Sequence, residues 1–246
     1  MAYQPRAYRT RVDRRRLAAF TVTVKETDLH VQALSDLAAL ARELTLEHRG
    51  YLEAYIRRHP EFLTTLEPWP LTGPAPAIVA DMIVAGAAAG VGPMAAVAGA
   101  VAEHVGRGLL PHSDEVIIEN GGDIFLKTET TATVAIFAGS SPLSLKVGVR
   151  IACGDAPVGV CTSSGTVGHS LSFGKADAVC VVSRSCALAD AAATAIGNRV
   201  RSKAEIAGGI EFGQGIRGLQ GLVIIVDDRL GAWGEVEVVP IGPKRG

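Results

Sequence analysis

Apolar and polar residues alternate between positions 20 and 33, and this pattern predicts two β-strands. The segment reads FTVTVKETDLHVQA, with the polar run KETD as the turn of a hairpin. Residues 35–60 instead repeat apolar positions at helical spacing, with Ser35 as the N-cap and Pro60 as the stop. Four prolines within residues 67–77 predict a fixed loop or a linker after this helix.

Residues 78–108 are rich in alanine and glycine and predict two buried helices. The break between them is GVGP at 90–93, where Pro93 suits the first position of the second helix. The glycines of 86–94 either bind a phosphate at that helix N-terminus or let the two helices pack closely. No charged residue occurs from Met82 to Ala102, but a spanning helix needs about 20 strongly apolar residues. We therefore expect packed helices and no membrane span.

The second half of the chain is dominated by β-branched runs bounded by glycine and proline, which predicts a mainly antiparallel sheet. A further alanine-rich helix is predicted over 188–198, LADAAATAIGN, directly after a strand. Early helices with a later sheet predict the α+β class. We expect one domain over 1–246, in which residues 1–76 supply the N-terminal hairpin and helices and residues 77–246 supply the core with the site. The other predicted elements are strands at 115–127, 131–139, 143–152 and 178–183 and a final hairpin over 221–241.

Charge and cysteine content argue against several functional classes. The formal net charge is −1, and the basic cluster at 6–16 is typical of a solvated strand or tail, so we predict no nucleic-acid partner. The N-terminal segment has no apolar signal stretch. The cysteines form no C-x-x-C pair and lie in or beside apolar runs, which predicts buried reduced thiols and a cytoplasmic protein. They are Cys153, Cys161, Cys180 and Cys186.

The stretch ENGGDIFL at 119–126 is the first candidate for chemistry. Gly121 and Gly122 lie between two apolar runs, where a bulge or a close backbone approach requires glycine. One interpretation is a hairpin bend with Asp123 in the turn. The other is a backbone cradle in which Asn120 or Asp123 hydrogen-bonds a ligand.

The stretch CTSSGTVGHSLSFGK at 161–175 is the second candidate. A loop of this composition offers hydroxyl and amide groups to an anion such as phosphate. His169 within it is a candidate general base, with a structural role as the alternative. The stretch is not G-x-S-x-G, so a serine hydrolase is not predicted. The candidate ligand-binding residues are Thr162, Ser163, Ser164 and Gly165.

Asp190 and Thr194 are the third candidate, because residues four apart share one face of a helix. In one interpretation Asp190 complements the helix dipole and Thr194 bonds back to the carbonyl four residues earlier. In the other, the two side chains offer oxygens to a hard cation such as Mg²⁺, which commonly shares its coordination with a substrate phosphate. Their spacing leaves both interpretations open.

Taken in order, NGGDI (120–124), TSSG (162–165) and ADAAATA (189–195) resemble the motifs of the ApbE family of magnesium-dependent flavin transferases. Members of that family carry a G-G-D-[IV] turn, a T-S-G loop, a histidine downstream of the loop and an A-D-x-x-x-T-A helix. The resemblance covers roughly residues 80–200 and implies an ApbE-like fold.

The resemblance also implies a reaction, in which FAD is split, FMN is transferred to a threonine or serine of a target protein and AMP is released. Mg²⁺ and FAD are the implied cofactor and substrate, and a flavin nucleotide and an acceptor protein are the implied partners. Asp190 and Thr194 would bind the metal, and His169 would act in catalysis. The residues that would lie by the flavin nucleotide are Gly121, Gly122 and Asp123.

The chain departs from the family pattern in two places. HSLSFGKADAV at 169–179 lacks the D-P-x-T-G that follows the family's histidine, and residues 90–106 lack the family's K-G-Y-A-x-D segment. The resemblance is therefore closest to a short cytoplasmic ApbE-like branch with altered chemistry. The alternative hypothesis is a non-catalytic protein that binds a nucleotide or small anion. The glycine-rich helices and sheet edges also predict a homodimer.

Overall fold

The computed structural model describes residues 17–165 and 174–242 of the protein. The strands are β1 (Ala18–Val24), β2 (Thr27–Ala33), β3 (Val116–Asn120), β4 (Asp123–Lys127), β5 (Ala132–Ala135), β6 (Val147–Ile151), β7 (Val158–Ser163), β8 (Ala178–Ser183), β9 (Leu219–Val226), β10 (Arg229–Gly234) and β11 (Glu237–Pro240). The helices are α1 (Ala38–Arg58), α2 (Ala77–Ala89), α3 (Val97–Leu109), α4 (Cys186–Gly197) and α5 (Ile206–Gln214).

Two antiparallel sheets and the helices form three layers. Eight strands form the main sheet in the order β1-β2-β3-β4-β7-β8-β9-β10, and three form a second sheet in the order β11-β6-β5. The helices cover one face of the main sheet, and the second sheet packs on the other, so that each face has its own buried apolar cluster. The expected α+β class with a mainly antiparallel sheet is confirmed.

Several elements differ from the sequence prediction. The predicted final hairpin is β9 with β10, and the segment after it leaves the main sheet to pair with β6 as β11. The strand predicted over 143–152 begins only at Val147, because a turn with Leu145 at φ 57° precedes it. Helix α5 was not predicted, since its three glycines lower its helix propensity. The hairpin β1–β2 pairs with β3 in the main sheet, and the division at residues 76 and 77 stays a prediction.

Helices α2 and α3 are formed by the apolar stretch for which the sequence predicts packed helices and no membrane span. Across the two described ranges, no single helix is long and apolar enough to cross a membrane. The length and apolar composition of a membrane span are reached only when two segments are taken together, and these are bent by 106° relative to each other. The segments are Ala77–Ala89 and Pro93–His112. Gly86 packs over the Val91 carbonyl and Gly92 over Thr65, as the close-packing interpretation of these glycines predicts.

Glu103 of α3 caps the N-terminus of α4. Its carboxylate accepts hydrogen bonds from the main-chain N–H of Cys186 at 2.7 Å and of Ala187 at 3.4 Å. The hydroxyl of Ser185 donates to the same carboxylate and accepts from the N–H of Leu188, each at 3.2 Å. The first amides of α4, which have no partner within the helix, are therefore all satisfied.

Asp190 of α4 does the same for α3. Its Oδ2 accepts from the N–H of Gly99 at 2.9 Å, and its carboxylate also accepts from the N–H of Ala98. Gly99 allows this approach, because a Cβ there would overlap the Cys186 carbonyl oxygen and lie 2.9 Å from the Asp190 Cβ. Each of the two helices thus supplies the carboxylate that the first turn of the other requires.

We predict that Glu103→Ala lowers the free energy of unfolding by about 2–4 kcal/mol, since it removes a cap and leaves buried amides without an acceptor. Urea unfolding at neutral pH measures this change. Glu211→Ala is the control, because Glu211 is an exposed glutamate of α5. Equal stability losses in the two variants would show that the Glu103 cap contributes nothing.

A second prediction concerns the close approach of α3 and α4. We expect Gly99→Ala to destabilise the protein by about 1–3 kcal/mol, because the added methyl group forces the helices apart. Gly208→Ala in α5 should be neutral or stabilising by up to about 1 kcal/mol, since nothing lies within 4 Å of the added Cβ. Thermal and urea unfolding of the two variants compare the effects, and the same sign in both would contradict the close contact.

Candidate functional site

The turn between β3 and β4 carries the first motif. Gly121 and Gly122 have φ angles of 68° and 117°, a conformation that residues with a Cβ rarely adopt. Asn120 and Asp123 pair across the turn, so the hairpin-bend interpretation is confirmed. The turn also lies beside the second motif, because a Cβ on Gly122 would be 3.6 Å from the Thr162 carbonyl oxygen.

The second motif is mostly strand and not loop. Thr162 and Ser163 are the last residues of β7 and pair with Cys180 and Val179 of β8. Beyond the strand, the N–H of Gly165 donates to the carbonyl of Ala176 at 2.9 Å. That amide is therefore not available to an anion. The hydroxyl of Thr162 hydrogen-bonds the Cys180 thiol on the face of the sheet away from α4, contrary to its predicted role in binding a ligand. The hydroxyls of Ser163 and Ser164 stay candidate ligand-binding groups.

The third motif completes the same end of the main sheet. Helix α4 runs back along the sheet from Cys186, so that its C-terminal residue Gly197 reaches the end of β7. A Cβ on Gly197 would lie 3.6 Å from the hydroxyl oxygen of Ser163. The structure thus brings the three stretches together around Asp123 and Asp190.

Asp123 and Asp190 form a pair of carboxyl groups in a poorly solvated position. Burial raises the pKa of Asp123 well above its usual range, and the negative charge of Asp190 raises it further. The thiol of Cys161 and the N–H of Thr162 donate to Asp123 and only partly offset this effect on its pKa. No basic side chain in the described ranges contributes to stabilising its charge.

Burial also raises the pKa of Asp190, to about 7, although the N–H groups of Gly99 and Ala98 stabilise its charged form. The pKa values of both carboxyl groups are therefore raised above their usual range. Positive charge beside the pair would be favourable, because two neighbouring carboxylates in a poorly solvated position repel each other when both are ionised.

The chemistry of the surrounding groups fits a hard cation better than a soft one. Among the described residues, no group of three or more His, Cys, Asp or Glu side chains could hold a metal ion. The nearby thiols are committed, since the single proton of Cys161 Sγ is shared between Asp123 and the Cys186 carbonyl at 3.4 Å, and Cys186 Sγ donates to the Ile124 carbonyl at 3.4 Å. A cation here would take oxygen ligands from carboxylate, hydroxyl, substrate and water, which is the coordination that Mg²⁺ prefers. Thr194 lies one turn after Asp190 and is partly exposed, so it can contribute such an oxygen.

The structure adds three residues to the site that sequence reasoning did not find, and it gives Asn120 a different contact from the predicted one. Glu119 Oε1 accepts from the N–H of Gly122 at 3.2 Å and so fixes the turn. Asn120, expected to bind a ligand, donates from Nδ2 to the carbonyl of Ala98 at 3.0 Å and ties the turn to α3. Gly99 and Glu103 lie far from the motifs in sequence, and only the tertiary structure shows their role.

Two further sequence predictions concern the cysteines and His169. The four cysteines are free and buried, as predicted. His169 lies outside the described residues, and its role as a general base stays a prediction.

Comparison with known proteins assigns the chain to a family. A family model described as "AbpE bacteria" matches residues 9–210. A UPF0280 protein of Methanococcus aeolicus is 40% identical over 221 residues, covering 87% of this chain and 89% of that protein. A second UPF0280 protein, from Methanocaldococcus jannaschii, is 43% identical over 210 residues and covers 83% and 85%.

Solved structures share the fold at low sequence identity. The flavin transferase ApbE from Vibrio cholerae superposes with a TM-score of 0.58 at 12% identity, covering 90% of this chain and 97% of that one. The ApbE protein from Thermotoga maritima gives 0.52 at 10% identity, covering 89% and 97%. At this identity the likeness shows the fold alone. The chain therefore belongs to the ApbE-like family described as AbpE bacteria, together with the UPF0280 proteins that it resembles.

Proposed function

We propose that the protein is a magnesium-dependent transferase that splits FAD and transfers FMN to a serine or threonine of an acceptor protein. One observation carries the proposal: the G-G-D turn, the end of β7 and the Asp190 helix meet around two carboxyl groups that no described basic side chain neutralises. Similarity to the flavin transferase ApbE from Vibrio cholerae supports flavin as the transferred group.

In this proposal Asp190 and Thr194 hold Mg²⁺, which when bound supplies positive charge beside the pyrophosphate oxygens. Gly121 and Gly122 carry no side chains and let the nucleotide approach the turn beside Asp123. The hydroxyl of Ser163, on the helix-covered face of β7, then orients the phosphate groups.

The transfer itself is a displacement at phosphorus. The hydroxyl oxygen of the acceptor forms a bond to the FMN phosphorus, and the bond from that phosphorus to the bridging oxygen breaks. AMP leaves with the electron pair of the broken bond. We propose that His169 takes the hydroxyl proton as general base.

Free buried cysteines also support a reducing compartment, so we propose a cytoplasmic location. The homodimer stays a prediction.

A second candidate function is nucleotide binding without turnover. It is favoured by the hydrogen bonds from Gly99 and Ala98 to Asp190, which give this carboxylate a structural role that requires no reaction. The two functions differ in whether FAD is consumed.

We predict that the purified protein with FAD and Mg²⁺ releases AMP, and that Asp190→Asn lowers the rate by about 10²-fold or more. Asparagine keeps an acceptor for the Gly99 N–H but removes the charge that holds the cation. Chromatography of the nucleotides measures the rate, with Asp114→Asn as the control at an exposed aspartate. Tight FAD binding without AMP release over hours would instead identify the non-catalytic function.

The carboxyl pair also predicts how stability depends on pH without metal. Because the pKa of Asp190 rises from 3.8 to about 7, the folded protein holds a proton in this interval that the unfolded chain has released. The metal-free protein should therefore lose stability as pH rises from about 5 to about 8. Asp190→Asn should reduce this loss.

Thermal unfolding in EDTA and in Mg²⁺ at the two pH values tests this prediction. Mg²⁺ should stabilise the parent protein most at the higher pH, where the cation replaces the proton, and should leave Asp190→Asn unchanged. An identical pH dependence in the parent protein and the variant would contradict the protonation of Asp190.

A further inference from the structure

A cleft lies at the same end of the main sheet as the candidate site. It is open to solvent and has a volume of about 740 Å³, which is large enough to admit a small molecule. Its walls come from the chain just before β8, the loop after α4 and the turn between β9 and β10. The transfer reaction proposed above makes no use of it.

The wall of the cleft nearest to the candidate site is fixed by main-chain hydrogen bonds. The N–H of Lys175 donates to the Val200 carbonyl, and the N–H of Asp177 donates to the Ile225 carbonyl, each at 2.9 Å. The carbonyl of Ala176 accepts from Gly165 at the end of the second motif. The cleft and the candidate site thus share one piece of ordered backbone.

Two of the three basic residues that line the cleft form no ion pair with another described residue. Lys203 is held by Asp228 at 2.6 Å and by Asp227 at 3.4 Å. Lys175 and Arg201 are exposed and take part in none of the ion pairs between described residues. Two exposed basic side chains at one concave surface are suited to a phosphate group, which arginine can bind in a bidentate manner.

The acidic and hydroxyl groups of the cleft restrict the ligand further. Asp177 is buried, and its Oδ2 accepts from the N–H of Asp227 at 2.6 Å. A carboxylate in this position repels a bare anion but accepts a hydrogen bond from a hydroxyl or amino group. Ser140 and Ser202 add hydroxyls to the same lining. The lining therefore matches a molecule that carries both a phosphate and hydrogen-bond donors.

We propose that this cleft binds a small phosphate ester that carries hydroxyl groups, a nucleotide or a sugar phosphate, with Lys175 and Arg201 holding the phosphate. Asp177 accepts a hydrogen bond from the hydroxyl-bearing part of the ligand. This inference does not depend on the transfer of FMN, because it concerns binding alone and residues outside the carboxyl pair.

Isothermal titration calorimetry of the whole protein in EDTA and low salt tests the cleft, with AMP, ribose 5-phosphate and inorganic phosphate as probes. At least one ester should bind about tenfold more tightly than inorganic phosphate, and Lys175→Ala with Arg201→Ala should weaken it by about tenfold or more. Arg58→Ala with Arg217→Ala is the control, since it removes the same charge from exposed positions outside the cleft. A preference for AMP over ribose 5-phosphate would identify a nucleotide, and equal binding a sugar phosphate.

The Asp190→Asn variant separates this inference from the proposed function. It should bind the ester as the parent protein does, whether or not the parent protein turns over FAD. Loss of binding in Asp190→Asn but not in the cleft variant would place the ester at the carboxyl pair and overturn the inference. Equal weakening in the cleft and control variants, equal affinity for inorganic phosphate and the esters, or no ester binding would overturn it as well.

Discussion

The candidate site depends on reciprocal capping, in which α3 and α4 each supply a carboxylate to the N-terminus of the other. Both helices begin inside the protein, where water cannot satisfy the free amides of a first turn. Glu103 satisfies those of α4, and Asp190 satisfies those of α3. Because each cap lies on the partner helix, neither helix has a complete N-terminus alone, and the position of Asp190 is set by two helices at once.

This arrangement has an electrostatic consequence at the G-G-D turn. The carboxylate that α3 requires also lies close to Asp123, and burial of both raises their pKa values. Two amide donors favour charge on Asp190, whereas Asp123 accepts from a thiol and one amide. Two carboxyl groups buried this close together favour the uptake of positive charge, so the proposed cation would act on the same carboxylate that caps α3.

Local features of this chain were predictable from the sequence, and contacts between distant segments were not. Two glycines between apolar runs predict the β3–β4 turn, and alanine-rich periodicity predicts the helix that carries Asp190. The partner of Asp190 is Gly99, 91 residues away, and that of Cys186 is Glu103, 83 residues away. The spacing of Asp190 and Thr194 shows that they share a helix face but not which residues face them. The T-S-S-G stretch reads as a loop by composition, yet pairing with β8 extends β7 through Ser163.

The motifs that match the family best are also those that the core itself requires. Gly121 and Gly122 close a hairpin of the main sheet, and Asp190 caps a buried helix, so the fold needs these residues with or without a reaction. Departures from the family pattern lie elsewhere, around His169 and in the segment that forms the start of α3. A chain can therefore keep Gly121, Gly122 and Asp190 for stability while the general base at the position of His169 changes. Transfer and simple binding therefore differ at His169 and its neighbours, and the presence of Asp190 alone does not distinguish them.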